Sequence, residues 1–234
     1  MNKSSERRKY LLLFALLLGP GLILIFLSKA DHSFEILPHY GPKEPIFTVA
    51  GTDVPDTIYH TVPDFSFTSQ FGETITMQDF EGDIMVVDFF FTTCPTICPI
   101  MTKQMARLQW MLEDTAYDDV SFLSHTVNPT NDTPEVLLEY GKEQGADFEK
   151  WTFVTGDQEE IFQQGFEGYL LSTQEDSGAP GGFLHSSMFV LVDRARHIRG
   201  FYDGTSSKEV DDLVTDIKML KKEETLKESE KVSS

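Results

Sequence analysis

Two cysteines, Cys94 and Cys98, are the only thiols in this 234-residue chain, and each is followed by a proline, Pro95 and Pro99. Ahead of them runs Val86-Val87-Asp88-Phe89-Phe90-Phe91, whose β-branched and aromatic content reads as a buried strand. Behind them Ile100 to Leu108 reads as helix. Both thiols therefore sit where a strand ends and a helix begins, the edge at which open α/β sheets bind ligands. A helix N-terminus also favours a thiolate over a thiol.

Three chemistries suit such a pair. A structural disulfide is the plainest, but closing so short a loop is worth only about 2 kcal/mol. If both residues were helical, their Cβ atoms would stand roughly 5–6 Å apart, too far for a relaxed bridge. The second chemistry is a redox dithiol. The third is a soft-metal site, since two thiolates suit copper(I) and an imidazole would complete a three-coordinate shell. Met101 is a further soft donor, although Met101, Met105, Leu108 and Leu112 share one helical face and read as core.

Of six histidines, His185 stands just ahead of the apolar strand Ser187–Asp193, at the end of a polar loop from Ser172 to Gly182. His125 is its rival, inside the strand Val120–Val127, where a histidine is more often a hydrogen-bonded core residue. His32 and His39 read as solvated spacers, and His60 and His197 as peripheral.

The elements that must position these residues follow in order. Lys3, Arg7, Arg8 and Lys9 precede an apolar stretch from Tyr10 to Ser28, long enough to cross a bilayer. Its basic flank would keep the N-terminus in the cytoplasm and send the rest outside. A cleaved signal peptide is the alternative, with Ser28-Lys29-Ala30 supplying small residues at the cleavage positions. Residues 1–30 thus form the basic segment and transmembrane anchor, and 31–46 a linker rich in proline. Residues 47–220 form the globular domain, and 221–234 a charged tail expected to fray. Within the domain a hairpin (Phe65–Thr68, Thr74–Thr76) precedes alternating strands and helices, a second hairpin from Ser187 to Tyr202, and a last helix to Leu220. That order gives an α/β, thioredoxin-like fold with an N-terminal β-hairpin extension. The net charge of −19 argues against nucleic acid as a partner.

Several of these features together resemble the Sco (SenC) family: Val62-Pro63-Asp64-Phe65, the turn from Phe91 to Pro99, Asp132-Thr133-Pro134, His185 before an apolar strand, and Phe201-Tyr202-Asp203-Gly204. The resemblance runs from about Val62 to Leu220. It implies a thioredoxin-like domain held at the cytoplasmic (inner) membrane by a single span and facing the periplasm or outside. It also implies copper, as Cu(I) or Cu(II), bound by Cys94, Cys98 and His185. The implied partner is subunit II of cytochrome c oxidase, whose copper A centre such proteins help to mature as copper donors or thiol reductants. Other copper chaperones or thiol reductants would load or reduce the pair. Two positions depart from the family pattern: Asn128-Pro129 replaces the usual aspartate-proline, with Asp132 as the substitute carboxylate, and Leu184 stands where an acidic residue often precedes the histidine. The enzymatic alternative is an extracytoplasmic thiol-disulfide oxidoreductase using the same two cysteines. A peroxidase would want an arginine beside the thiolate, and the turn has none.

Overall fold

The structure is a computed structural model. It describes residues 36–46, 56–171 and 186–233, with Arg7, Leu18, Pro20, Gln174, Glu175, Phe183 and Leu184. The segment from Tyr10 to Ser28 is almost wholly outside the described residues. Among the described residues no helix is long and apolar enough to cross a membrane.

Two short strands come first, β1 (Lys43–Ile46) and β2 (Asp56–Tyr59), paired antiparallel. The main sheet is built from β3 (Ser66–Ser69), β4 (Thr74–Thr76), β5 (Ile84–Phe90), β6 (Val120–Thr126) and β7 (Trp151–Thr155), with β10 (Met188–Val192) and β11 (Ile198–Asp203). Of a separate two-residue pair, β8 (Gln174–Glu175) lies in the stretch expected to be loop and β9 (Phe183–Leu184) directly after it. The helices are α1 (Cys98–Met111), α2 (Pro134–Gln144), α3 (Gln158–Gln163) and α4 (Ser207–Ser233).

The main sheet runs β11-β10-β5-β6-β7-β3-β4, with β5, β6 and β7 parallel at its centre. Helices α1 and α2 are the crossovers between them, as parallel neighbours require. All seven residues of β5 are buried, which explains why its sequence shows no polar alternation. The hairpin β3–β4 adds to the far side through β7, and the hairpin β10–β11 to the near side of β5.

Helix boundaries follow local chemistry. Asp157 accepts from Glu159 N–H and Glu160 N–H and so caps α3. Pro134 opens α2, and Gly145, at φ +74°, closes it in the left-handed conformation that glycine adopts without strain.

Two expectations need correction. The 31–46 segment is not merely a spacer: β1 lies in it, Leu37 is buried, and Tyr40 N–H bonds to Ile198 O at 2.9 Å. The charged tail does not begin to fray at Lys221, because α4 continues to Ser233. Lys221 pairs with Asp119, Glu224 with Arg194, and Glu223 with the buried Arg199, so the helix is held past Leu220 by groups from distant loops and strands.

Candidate metal and thiol site

The site is built where β5 runs out. Phe90 is its last strand residue, and the chain turns through Thr92 and Thr93 before entering α1 at Cys98. Asp132, completely buried, holds that turn in place. It accepts from Thr92 N–H (3.0 Å), Thr92 Oγ1 (2.5 Å), Thr126 Oγ1 (2.5 Å) and Asn131 Nδ2 (2.7 Å). One carboxylate thus ties the end of β5 to the end of β6, two residues ahead of Cys94. The partners of Asp132 are these hydroxyl, amide and backbone groups, so its role here is to position the turn.

Cys94 and Cys98 are both reduced and both buried. They nonetheless differ in acidity. Burial pushes the Cys94 thiol up, but N–H groups of Thr96 and Cys98, with the Cys98 and Thr96 side chains, outweigh it and hold Cys94 below the ordinary thiol value. Those N–H groups belong to the entry of α1, where no carbonyl of an earlier turn can take them. Pro95 and Pro99 carry no N–H, so the donors are confined to the residues between and at the cysteines. Cys98 lies deeper. Burial drives its thiol well up, and the neighbouring Cys94 and Asp88 add to that against a donor from Phe91 N–H. The pair is asymmetric, with one sulfur disposed to ionise and the other disposed to keep its proton until a cation or an electrophile replaces it.

Beneath α1 lies a polar line that the sequence reading left without a role. Trp151 Nε1–H donates to Ser124 Oγ (2.9 Å), and Ser124 Oγ–H donates to Asp88 Oδ1 (2.5 Å). Burial pushes the Asp88 carboxyl up to about 7 in spite of Ser124. Thr102 Oγ1 bonds to Cys98 O (2.8 Å) and to Tyr140 Oη (2.7 Å), locking the first turn of α1 to α2. A lone aspartate in an apolar strand was the available signal for Asp88. Nothing local marked Tyr140.

Of the two candidate histidines the structure describes His125. His125 is fully buried and alternates to the sheet face opposite Asp88 and Ser124. There it stacks on Phe89 (4.7 Å between centroids) and meets Phe65, Phe67 and Tyr169 edge-on or tilted. It is a core residue, as its place in the strand suggested. It is not a hydrogen-bonded one, since neither ring nitrogen has a partner among the described residues. Burial pulls its pKa down to about 3, so it is neutral at physiological pH. His185 lies outside the described residues. What is described is the start of β10: Val190 pairs with Val87 in antiparallel register, so Met188 begins beside the C-terminal end of β5 that leads into the cysteine turn. Met101 is fully buried in the core, as its helical spacing implied. His60 is peripheral to this site and bonds through Nε2 to Gly168 O (2.8 Å).

Asp88 and His125 make opposite demands on folding as pH changes. The Asp88 carboxyl binds its proton more tightly folded than unfolded, so its contribution is complete below about pH 4 and is lost as pH rises through about 7. His125 binds its proton less tightly folded, so its contribution is complete above about pH 6.5 and is lost as pH falls through about 3. Between pH 4 and 6.5 the two slopes oppose each other. Relative to the parent, Asp88→Asn should gain stability with rising pH at about 1.4 kcal/mol per pH unit in that window. His125→Phe should gain with falling pH at a similar rate. Urea unfolding at three pH values in the window checks this. Parallel profiles for parent and variants would disprove it.

The donor set fits a soft cation: two adjacent sulfurs, one held toward thiolate, at a helix entry and behind a rigid turn. Comparison with known proteins agrees with that fit. A family model described as SCO1/SenC matches residues 55–222. The "SCO1 protein homolog" of Bacillus subtilis is 31% identical over 169 residues, covering 72% of this chain and 86% of that protein. A solved structure of BsSco, described as a member of the Sco family of cytochrome c oxidase assembly proteins with a disulfide switch, is 31% identical at TM-score 0.61. It covers 69% of this chain and 93% of that one. The copper-bound ScoI of Arabidopsis thaliana is 25% identical at TM-score 0.56, covering 68% of this chain and 98% of that one.

Proposed function

Because this chain belongs to the SCO1/SenC family, we propose that it carries copper on Cys94, Cys98 and His185 and serves assembly of the copper A centre in subunit II of cytochrome c oxidase. The observation that carries the reading is the reduced, asymmetric cysteine pair at the junction of β5 and α1. Copper is the cargo here, and as Cu(I) it is the soft ion that two thiolates prefer. Cys94 offers the ready thiolate. Cys98 must shed its proton to become a ligand, which makes uptake dependent on pH and on the reduced state. His185 lies three residues ahead of Met188, where β10 starts at the same sheet edge, and that supports it as the third ligand. A ligand arriving from a separate segment can leave without unfolding the thiol pair, which suits a site that must give its ion away. The segment from Tyr10 to Ser28 would hold the domain at the outer face of the cytoplasmic membrane.

The test is titration of the reduced full chain with Cu(I), followed by mixing with copper-free subunit II. One equivalent should bind and then move to subunit II. His185→Ala should bind at least about tenfold more weakly, near 1.4 kcal/mol, while keeping a two-thiolate absorption. Binding unchanged by His185→Ala would remove that residue from the shell. Bound copper that never leaves would remove the donor role.

The acidity difference between the sulfurs favours a second reading. A readily ionised Cys94 and a protonated Cys98 are also the attacking and resolving thiols of a thiol-disulfide reductase. Reduction of an oxidised copper A cysteine pair by the metal-free chain would establish it.

A further inference from the structure

His39, Asp193 and His197 form a second cluster, separate from the cysteine turn. A nitrogen of each ring and a carboxylate oxygen of Asp193 all lie within 4.8 Å of one another. The two rings meet edge-on at 5.1 Å, and His39 stacks on Tyr59 at 4.1 Å. His39, read from the sequence as a solvated spacer, is thus half-buried against the domain.

Both histidines stand on fastened backbone. On one side of His39, Arg199 Nε donates to Pro38 O; on the other, Tyr40 N–H donates to Ile198 O. Asp193 and His197 close the turn between β10 and β11 on each other: Asp193 N–H donates to His197 O (2.9 Å), and His197 N–H donates to Asp193 Oδ1 (2.8 Å). The Asp193 carboxylate lies 3.5 Å from His197 Nδ1, where it can orient the ring as carboxylates do beside metal-bound imidazoles. Its other oxygen pairs with Arg199, which also pairs with Glu223.

We propose that His39 and His197, with Asp193 as third ligand or as the orienting carboxylate, form a binding site for a borderline divalent cation of the zinc(II) or copper(II) class. Two imidazoles and a carboxylate match that class, and with no sulfur the set does not compete for Cu(I). Metal–nitrogen bonds of 2.0–2.1 Å in a tetrahedral shell need ligand atoms roughly 3.4 Å apart, so rotation of the half-buried rings closes the site. The three residues come from the segment before β1 and from the β10–β11 hairpin. Bound metal therefore pins the start of the domain to its sheet edge.

The site is independent of the copper reading, and the experiment keeps them apart. The full chain carrying Cys94→Ser, Cys98→Ser and His185→Ala is titrated with zinc(II) by calorimetry, and its thermal midpoint is followed with and without zinc. One equivalent should bind, and zinc should raise the midpoint. Adding His39→Phe, which keeps the ring against Tyr59, should lower the affinity at least tenfold and remove the rise. His197→Gln should do the same. Zinc affinity unaltered by His39→Phe, or no uptake by the starting variant at millimolar zinc, would overturn the site.

Discussion

Replacing either cysteine with serine should abolish tight copper(I) binding. The expected loss is at least about a thousandfold, or ~4 kcal/mol. A hydroxyl is a hard donor that stays protonated at neutral pH, so each replacement removes a soft ligand and a negative charge together. The two variants should differ in how they fail. Cys94→Ser removes the sulfur that the α1 N–H groups favour as thiolate, leaving only Cys98, whose pKa burial raises and whose thiol therefore keeps its proton. Cys98→Ser leaves Cys94 reactive, so that variant should still be alkylated quickly by iodoacetamide at neutral pH, while Cys94→Ser should react slowly. Competition against a copper(I) chelator reads the affinity. Retention of parental affinity by either variant would mean that the pair does not hold the ion.

Arg199→Met should cost about 3–5 kcal/mol of stability, read as a lower urea midpoint. The Arg199 side chain is 1% exposed, and it donates to Asp193 (2.9 Å), Glu223 (2.8 Å) and the carbonyls of Leu37 (2.7 Å) and Pro38 (3.2 Å). Methionine fills similar space but leaves two nearly buried carboxylates and two carbonyls without that donor. The same guanidinium joins the 36–40 segment, the β10–β11 hairpin and α4, so its loss should loosen all three. Hydrogen exchange would show faster opening there than in β5 and β6. A midpoint within experimental error of the parent would show that the carboxylates neutralise or rehydrate without cost.

The parts of the fold legible in the sequence are those decided by near neighbours. β7 was expected at Trp151–Thr155 and is found there, because a short aromatic and β-branched run bounded by turn residues has one good solution. The cysteine turn was legible for the same reason, though α1 begins at Cys98 rather than at Ile100, since Pro99 is well accepted in a first helical turn. What escaped is decided by register and by distant partners. Asp88 and His125 sit on adjacent parallel strands with opposite facing, and only the pairing of β5 with β6 shows which meets α1 and which meets Phe65 and Tyr169. Lys221, Glu223 and Glu224 look like a solvated charge run until Asp119, Arg199 and Arg194 are brought against them. His39 looks like spacer until β1 and β2 pair and bring Tyr59 beneath it. Asn128 in place of aspartate drew attention to Asp132, and the carboxylate proves to serve the turn through Thr92 and Thr126.

Uptake of Cu(I) by this chain requires the reduced sulfur pair. Its most direct measurement is bound copper in the full chain, loaded with Cu(I) under anaerobic conditions and desalted, once with both thiols free and once after oxidation to the disulfide. One copper per chain in the reduced sample and none in the oxidised sample is the predicted result. Equal copper in the two samples would contradict it.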